Sequence, residues 1–432
     1  MVADGAGGMR RVDDLRFDRE PWPIDFTLPS REAEHWLQYL AAEQRRRGWA
    51  GGGTTQLGSR ENSGSQSIGP NNARMHLAWE RGRGGPLNVR ARVDGDLSVS
   101  DAQALLDKVT GDCRAGRVEA IHNRGQLQYE GLPWQGELWL SDTIRLGPPS
   151  KQYDSALLGP RIVIVDALVD GIDHAHSAEV FGAQLRELAM FMSVVLGPLI
   201  ALPTQDRVWV WGPGAFPECS VQQLGYIEQR PMRGLPTRGE FAQVPLRQVA
   251  RPDFSLKGID GTVSEQWAPD DISLLWATFL DLPRDKHDQF VRAAAKWQEA
   301  MMFWRERRTL SFSLMVVACE ALKPLDARYY SHNVYEVVEA LIGKPKADVL
   351  RAPEFRAQEV RSGHLHAGEL RADEFGIQTM TPGFSDPTFD DSVRALAHIT
   401  RATIIEWLTV RGQYTMPPLA KAAERRRHKP VA

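Results

Sequence analysis

The sequence predicts an α+β chain, in which a mixed α/β N-terminal domain with antiparallel strands precedes an all-α C-terminal bundle. Three observations carry this. Leu87 to Val93 and Glu137 to Leu146 alternate apolar and polar residues with the period of two that a half-buried strand requires. Turn signals such as Asp94-Gly95 end these runs. Beyond about residue 270 the apolar residues recur every three or four positions instead, the period of an amphipathic helix.

A chain of 432 residues exceeds one typical core and suggests two or three domains. Its 42% hydrophobic and 25% charged residues are ordinary globular composition, which excludes fibrous and disordered classes. A net charge of −3 excludes a general nucleic-acid coat and confines any RNA contact to a local surface. Cys113, Cys219 and Cys319 are odd in number and widely spaced, giving neither a disulfide framework nor a CxxC zinc pattern, which suits a reducing cytosol. The stretch Met1 to Arg11 lacks the apolar core of a signal peptide. The longest apolar run, Ala189 to Leu202, contains Gly197 and Pro198 and is too short to span a bilayer. A cytoplasmic protein without a membrane partner is expected.

Taken in order, Ile24, Phe26 and Leu28 give a short strand. Glu32 to Arg47 reads as a helix, with Ser30 as its cap and Gly48 as its stop. Residues 48–72, rich in Gly, Ser, Asn and Gln, read as a flexible loop. A short helix follows from Ser100, itself the cap, to Val109. Arg161 to Val169 is a β-branched run typical of a buried strand. From His176 to Leu196, Val180, Leu185, Leu188, Met192 and Val195 line one helical face. Val208 to Trp211 and Val221 to Glu228 return to strand character. The Pro-, Gly- and Arg-rich stretch 231–268 reads as a connection, closing an N-terminal domain over 1–268.

Residues 269–415 carry the helical stripes. Phe290, Ala294, Trp297, Met301 and Trp304 form one, and Leu310, Leu314, Val317 and Ala321 the next. Val334, Val337, Val338, Leu341 and Ile342 form a third, stopped by Gly343 and Pro345. A fourth helix is expected to start near Pro353 and run into the segment described next. Val393, Leu396, Ala397, Ile404, Trp407 and Leu408 make a fifth. Short connections between such helices imply a compact bundle. The basic tail 416–432 is expected to be disordered.

The segment with most chemical content is Arg361-Ser362-Gly363-His364-Leu365-His366-Ala367-Gly368. Arginine keeps its charge and offers a planar fork matched to phosphate oxygens. Histidine titrates near neutrality and serves as general acid or base. Together they can hold a phosphodiester and move its protons. On an unbroken α-helix, residues five apart point roughly 140° away from each other. The spacing from Arg361 to His366 therefore requires either a local break at Gly363 or a second copy of the chain.

Two segments give a resemblance. Leu310 to Leu322 reads Leu-Ser-Phe-Ser-Leu-Met-Val-Val-Ala-Cys-Glu-Ala-Leu, an apolar helix with Glu320 before Ala-Leu, and Val360 to Gly368 holds Arg-x4-His-x-Gly. Over about residues 285 to 412 the chain resembles the HEPN superfamily, in particular its Apea-like bacterial branch. That resemblance implies a HEPN-like helical bundle and a metal-independent endoribonuclease, often a toxin or antiviral effector, acting as a homodimer on RNA. It implies catalytic roles for Arg361 and His366, no cofactor or metal, and a trigger or antitoxin as a further partner. Ser362 stands where the family often has Asn, Asp or His; it can donate to a phosphate but cannot act as acid or base. His364 could supply that polar group from another direction. The N-terminal domain would then be a sensor or specificity module. A catalytically silent HEPN module, used for dimerisation or for nucleotide or RNA binding, is the alternative.

Plainer readings stand beside these. Arg361 could be a surface arginine, and His366 a helix-terminal histidine facing carbonyl dipoles. Glu320, among Val316, Val317, Ala318 and Ala321, is either a salt bridge that orients Arg361 or a helix-surface carboxylate. His364-x-His366 and His174-x-His176 are each half of a metal site without acidic or thiol partners. Trp297 and Trp304 read as core. Arg305, Arg307 and Arg308 read as a solvated helix end or a phosphate-binding rim.

Overall fold

The computed structural model describes residues 22–57, 62–69, 73–81, 85–129, 134–148, 161–197, 267–304, 307–326, 331–353, 355–367 and 387–417. It adds short stretches at 2–3, 9–10, 199–203, 207–211, 219–223 and 245–250, and positions 235 and 237. The chain contains both helices and antiparallel sheets, an α+β composition. It divides into two compact units, Met1–Ile121 with Val169–Val180, and His122–Leu168 with Phe181–Ala432.

The first unit is built on an antiparallel sheet. Its strands are β1 (Ile24–Leu28), β2 (Ala50–Leu57), β3 (Asn62–Gly69), β4 (Ala73–Arg81) and β5 (Leu87–Gly95), in the order β1-β5-β4-β3-β2. Alternation sends Met75, Leu77 and Trp79 of β4, and Leu87, Val89 and Ala91 of β5, into one core. Two helices fill that core, α1 (Ser30–Arg46) with Trp36, Tyr39 and Leu40, and α2 (Val99–Ala115) with Ala102, Leu105, Leu106 and Val109. Trp36 Nε1 donates to Thr110 Oγ1 at 3.0 Å and ties the helices together. The α2 cap is Ser98, whose Oγ accepts from Asp101 N at 3.1 Å, so the helix starts before the expected Ser100. Ser30 is likewise the first helical residue and not a side-chain cap, because Pro29 occupies the cap position.

Residues 48–72 depart most from expectation. They contribute β2 and β3, paired with each other and, through β3, with β4. Backbone N–H and C=O groups form a ladder whatever the side chains are, and the apolar β4 supplies the template.

The second unit holds another five-stranded sheet. Its strands are β6 (Glu119–Tyr129), β7 (Leu138–Ser141), β8 (Ile144–Gly147), β9 (Arg161–Gly171) and β10 (Ile200–Ala201), in the order β10-β6-β9-β8-β7. A two-stranded hairpin, β11 (Arg207–Trp211) with β12 (Cys219–Gln223), follows in sequence. Helix α3 (His174–Leu196) buries Phe191, Met192, Val194 and Val195 completely. Gly125 of β6 lets it approach, since a Cβ there would lie 2.8 Å from Leu185 and 2.9 Å from Phe181.

The helical part comprises α4 (Ile272–Leu280), α5 (Arg284–Met302), α6 (Arg308–Glu320), α7 (Val334–Ile342), α8 (Lys344–Arg351), α9 (Ala357–Ser362), a π-helical segment (Gly363–Ala367) and α10 (Pro387–Thr409). Helix α6 lies among α5, α7, α9 and α10, which explains why Thr309, Ser311, Phe312, Ser313, Met315, Val316, Ala318 and Cys319 are all buried. Its two serines are accommodated by Ser311 Oγ donating to Ala300 O at 2.8 Å and Ser313 Oγ to Thr309 O at 2.9 Å.

The end of α3 is fastened to these helices. Arg401 of α10 is buried and donates from Nε to Val194 O at 2.8 Å and from a terminal nitrogen to Val195 O. Trp297 Nε1 of α5 donates to Ser193 O at 2.8 Å. These bonds take up carbonyls that every helix C-terminus leaves without intrahelical partners. Gly197 closes α3 at φ 95°, with Arg401 Nη1 only 2.9 Å from where a Cβ would stand. The sheet and the C-terminal helices thus share one unit, with members on both sides of the boundary expected at 268.

The third stripe stops at Gly343 as expected, but Pro345 lies in the first turn of α8 and opens a helix there. The next helix starts at Ala357, not near Pro353. Ala352, the residue before that proline, is extended at ψ 148°, as the proline ring demands. Most of 231–268, and residues 418–432 of the tail, lie outside the described residues. Among the described residues no helix is long and apolar enough to cross a membrane.

Candidate functional site

Helix α6 delivers Glu320 at its C-terminal turn, and three side chains from elsewhere in the chain fix that turn. Gln289 Nε2 donates to Ala321 O at 3.1 Å and also to Lys323 O, Trp407 Nε1 to Leu322 O at 3.1 Å, and Tyr414 Oη to the same carbonyl at 2.9 Å. The carbonyls that end α6 are thereby satisfied in a buried setting.

Helix α9 delivers Arg361. It is only six residues long and is anchored by Ala357 and Val360 in the core. Its start is shaped by Arg356, which adopts a left-handed φ of 41°. Tyr335 of α7 receives Gln358 N on its hydroxyl at 3.1 Å and directs its own proton toward Glu359 at 3.4 Å. Burial pushes the Tyr335 hydroxyl up to about 12, so it stays a neutral donor at ordinary pH. Asn333 and Glu336 form a reciprocal capping box at the head of α7. The short α9 therefore rests on α7, whose own first turn is fixed.

Arg361 Nη2 lies 3.3 Å from Glu320 Oε2, with the side chains 24% and 12% exposed. Arg361 Nε is buried without a hydrogen-bond partner, so the guanidinium is held at one corner and not saturated. Immediately after Ser362 the chain widens into the π segment, where Gly363 and His364 are half-buried and Leu365 and His366 are exposed. A π turn closes its hydrogen bonds five residues apart, and this one holds His364 and His366 while Arg361 stays in the α-helical turn before it. The helix thus departs from α geometry at Gly363. Among the described residues, Arg361 and Glu320 are joined directly; no hydrogen bond or ion pair joins Arg361 to His366, nor Ser362 to either.

The other histidine pair has a different setting. His176 Nδ1 receives Ile172 N at 3.3 Å at the start of α3, while His174 is exposed. Among the described residues no group of three or more His, Cys, Asp or Glu side chains is arranged to hold a metal. Arg305 lies outside the described residues.

Sequence reasoning missed a buried ionic cluster on one face of the second sheet. Asp166 of β9, fully buried, receives His122 Nε2 at 3.0 Å, Arg124 Nε at 2.6 Å and Arg145 Nη1 at 3.0 Å. Arg145 of β8 also donates to Glu137 Oε1 at 2.9 and 3.1 Å, and Trp139 Nε1 to Glu137 Oε2 at 3.1 Å. Burial alone would raise the Asp166 pKa, but the bonds from His122 and Arg124 and the charges of Arg124 and Arg145 outweigh it and lower the value. The register that sets Arg145 opposite both Asp166 and Trp139 creates the cluster. The available signal was a charge inside each apolar run, Asp166 within Ile162 to Val169 and Arg145 between Ile144 and Leu146.

No family model, curated protein or solved structure matches the chain.

Proposed function

We propose that the chain is a metal-independent endoribonuclease of HEPN type, with Arg361 and His366 as its catalytic residues. The observation that supports this is the Arg361–Glu320 pair, which anchors a guanidinium in the turn before the π segment that carries the exposed His366. A pre-held cation of this kind stabilises charge as it develops, usually the largest catalytic contribution.

In the reaction His366 takes the proton of a ribose 2′-OH, whose oxygen attacks phosphorus. The bond to the 5′-oxygen breaks, and that oxygen takes a proton from a general acid, the same histidine in a second copy of the chain. Products are a 2′,3′-cyclic phosphate and a 5′-OH end. Arg361 neutralises the phosphorane, Glu320 orients Arg361, and Ser362 and His364 support the phosphate. The N-terminal unit would serve as sensor or specificity module of a toxin or antiviral effector, answering to a trigger or antitoxin in the cytoplasm.

The test is cleavage of total RNA by purified protein in EDTA, wild type beside His366→Ala. Cutting that disappears in the variant and leaves a DNA strand of the same sequence intact supports the reading. Equal cutting by both proteins, or cutting only with metal, removes His366 from the chemistry.

A further inference from the structure

Glu320 fixes the guanidinium of Arg361, but the backbone that carries it needs a separate hold. Helix α9 has six residues, far fewer than the roughly 12–15 at which a helix in water begins to hold itself. Its cap position supplies nothing, because Arg356 stands there in a left-handed conformation, φ 41°, and makes no side-chain capping bond. The first N–H groups of any helix lack intrahelical acceptors, and a Ser, Thr, Asp or Asn at the cap normally takes the second or third. In α9 the second, Gln358 N, donates at 3.1 Å to Tyr335 Oη, which belongs to α7.

We propose that Tyr335 is a positioning residue for Arg361, acting from α7 as the N-cap that α9 lacks in its own sequence. This role deepens the ribonuclease reading and takes its catalytic consequence from that reading.

The hydroxyl is committed within the chain on both counts. It accepts from Gln358 N and gives its own proton to Glu359 Oε2 at 3.4 Å, so it serves α9 and not a substrate. The ring that carries it is pinned. The Arg351 guanidinium lies over it, 5.3 Å from the ring centroid, and is itself held by Asp348 at 2.9 Å and Glu339 at 3.0 Å. The backbone is pinned as well, since Tyr335 N donates to Asn333 Oδ1 at 3.0 Å inside the α7 capping box. From Gln358 to Arg361 is three residues, about one turn and ~4.5 Å along the axis. Arg361 is therefore the first charged side chain one turn past the capped N–H, and beyond Ser362 regular α-helix gives way to the π segment. Play at the start of α9 reaches the arginine directly, and a catalytic group displaced by about 1 Å can lose on the order of 10² in rate.

The experiment follows the Nε–H proton of Arg361 by nuclear magnetic resonance in full-length protein carrying isotope-labelled arginine, the signal being identified by its loss in Arg361→Lys. Tyr335→Phe keeps the ring and its stack with Arg351 and removes only the cap. It is expected to speed exchange of that proton with water about fivefold to tenfold, the worth of one helix cap. The Nε–H of Arg401, bonded to Val194 O, is expected to keep its rate. Glu359→Gln leaves the hydroxyl in place to cap and is expected to change neither signal. An unchanged Arg361 signal in Tyr335→Phe overturns the role. Equal acceleration at Arg401 also overturns it, as general loosening, and so does an equal effect of Glu359→Gln, which would assign the hold to the carboxylate. RNA cleavage is scored separately, with kcat expected to fall about fivefold to tenfold in Tyr335→Phe at unchanged KM. A raised KM at unchanged kcat would put the hydroxyl on the substrate and overturn the positioning role. Faster exchange at Arg361 without cleavage by any protein keeps the cap and removes the ribonuclease; Arg361-dependent cleavage that Tyr335→Phe leaves untouched does the reverse.

Discussion

Glu320 Oε2 and Arg361 Nη2 stand 3.3 Å apart, the carboxylate ending a buried helix and the guanidinium ending a short one. The partners are unequal. Glu320 sits on a turn whose carbonyls are bonded by Gln289, Trp407 and Tyr414, whereas Arg361 sits on six residues followed by a π segment. The carboxylate is the fixed reference and the arginine takes its position from it.

Under the proposed ribonuclease function, Arg361→Ala is expected to lower RNA cleavage about 10² to 10³ fold, the range for loss of one charge-stabilising donor. Glu320→Gln should cost less, and its effect should vanish in the Arg361→Ala background. A double-mutant cycle on cleavage rates checks this, and additive losses would show that Glu320 acts independently of Arg361.

Arg145 bridges Glu137 and Asp166 in a buried part of the sheet. Arg145→Met leaves two carboxylates without their shared cation, which typically costs about 3–5 kcal/mol. Denaturant unfolding of the variant beside wild type should show a midpoint shift of that order.

Acid should act through the same cluster. The folded Asp166 pKa is lowered, so its ionised form is favoured by folding. The stabilisation is complete above the unfolded value of about 3.9 and is lost as pH falls through the lower folded value. Melting temperatures measured from pH 7 downward should drop more steeply below about pH 4 in wild type than in Asp166→Asn, which starts lower and has no proton to gain at that position.

Arg401→Met should destabilise the second unit although it removes a buried charge. Its cost arises at Val194 and Val195, whose carbonyls lose their donor at the end of α3. An unsatisfied buried acceptor costs about 1–3 kcal/mol, and calorimetry of the variant reads the sum.

The parts of this architecture that follow a local rule were legible in the sequence. The α5 stripe through Phe290, Ala294 and Trp297 reads directly as a buried face because each residue repeats the helical period. The same holds for β5, where Leu87, Val89 and Ala91 alternate into the core. What failed was whatever depends on a distant partner. β2 and β3 carry glycine and serine without alternation, and only the ladder to β4 makes them strands. Pro345 reads equally as a stop and as a first-turn residue, and the chain direction after Gly343 decides. The cluster around Asp166 draws on residues 122, 124, 137 and 145, whose spacing encodes nothing until register aligns them. At the candidate site the Arg361 to His366 spacing was readable; the widened helical turn at Gly363–Ala367 was not, because a single glycine does not encode it.

Cys319 offers a stopwatch. Its thiol is fully enclosed one residue before Glu320, its Sγ donating to Thr400 Oγ1 at 3.6 Å, and burial pushes it up to about 12. At neutral pH it is neither ionised nor reachable, so a maleimide can label it only when the end of α6 lifts away from α10. The rate of that labelling under native conditions, followed by intact mass against Cys319→Ser, counts the openings of the helix end that carries Glu320, the partner of Arg361, without any need for RNA. If labelling slows when an oligonucleotide is added, the strand stiffens the very turn from which the arginine takes its aim.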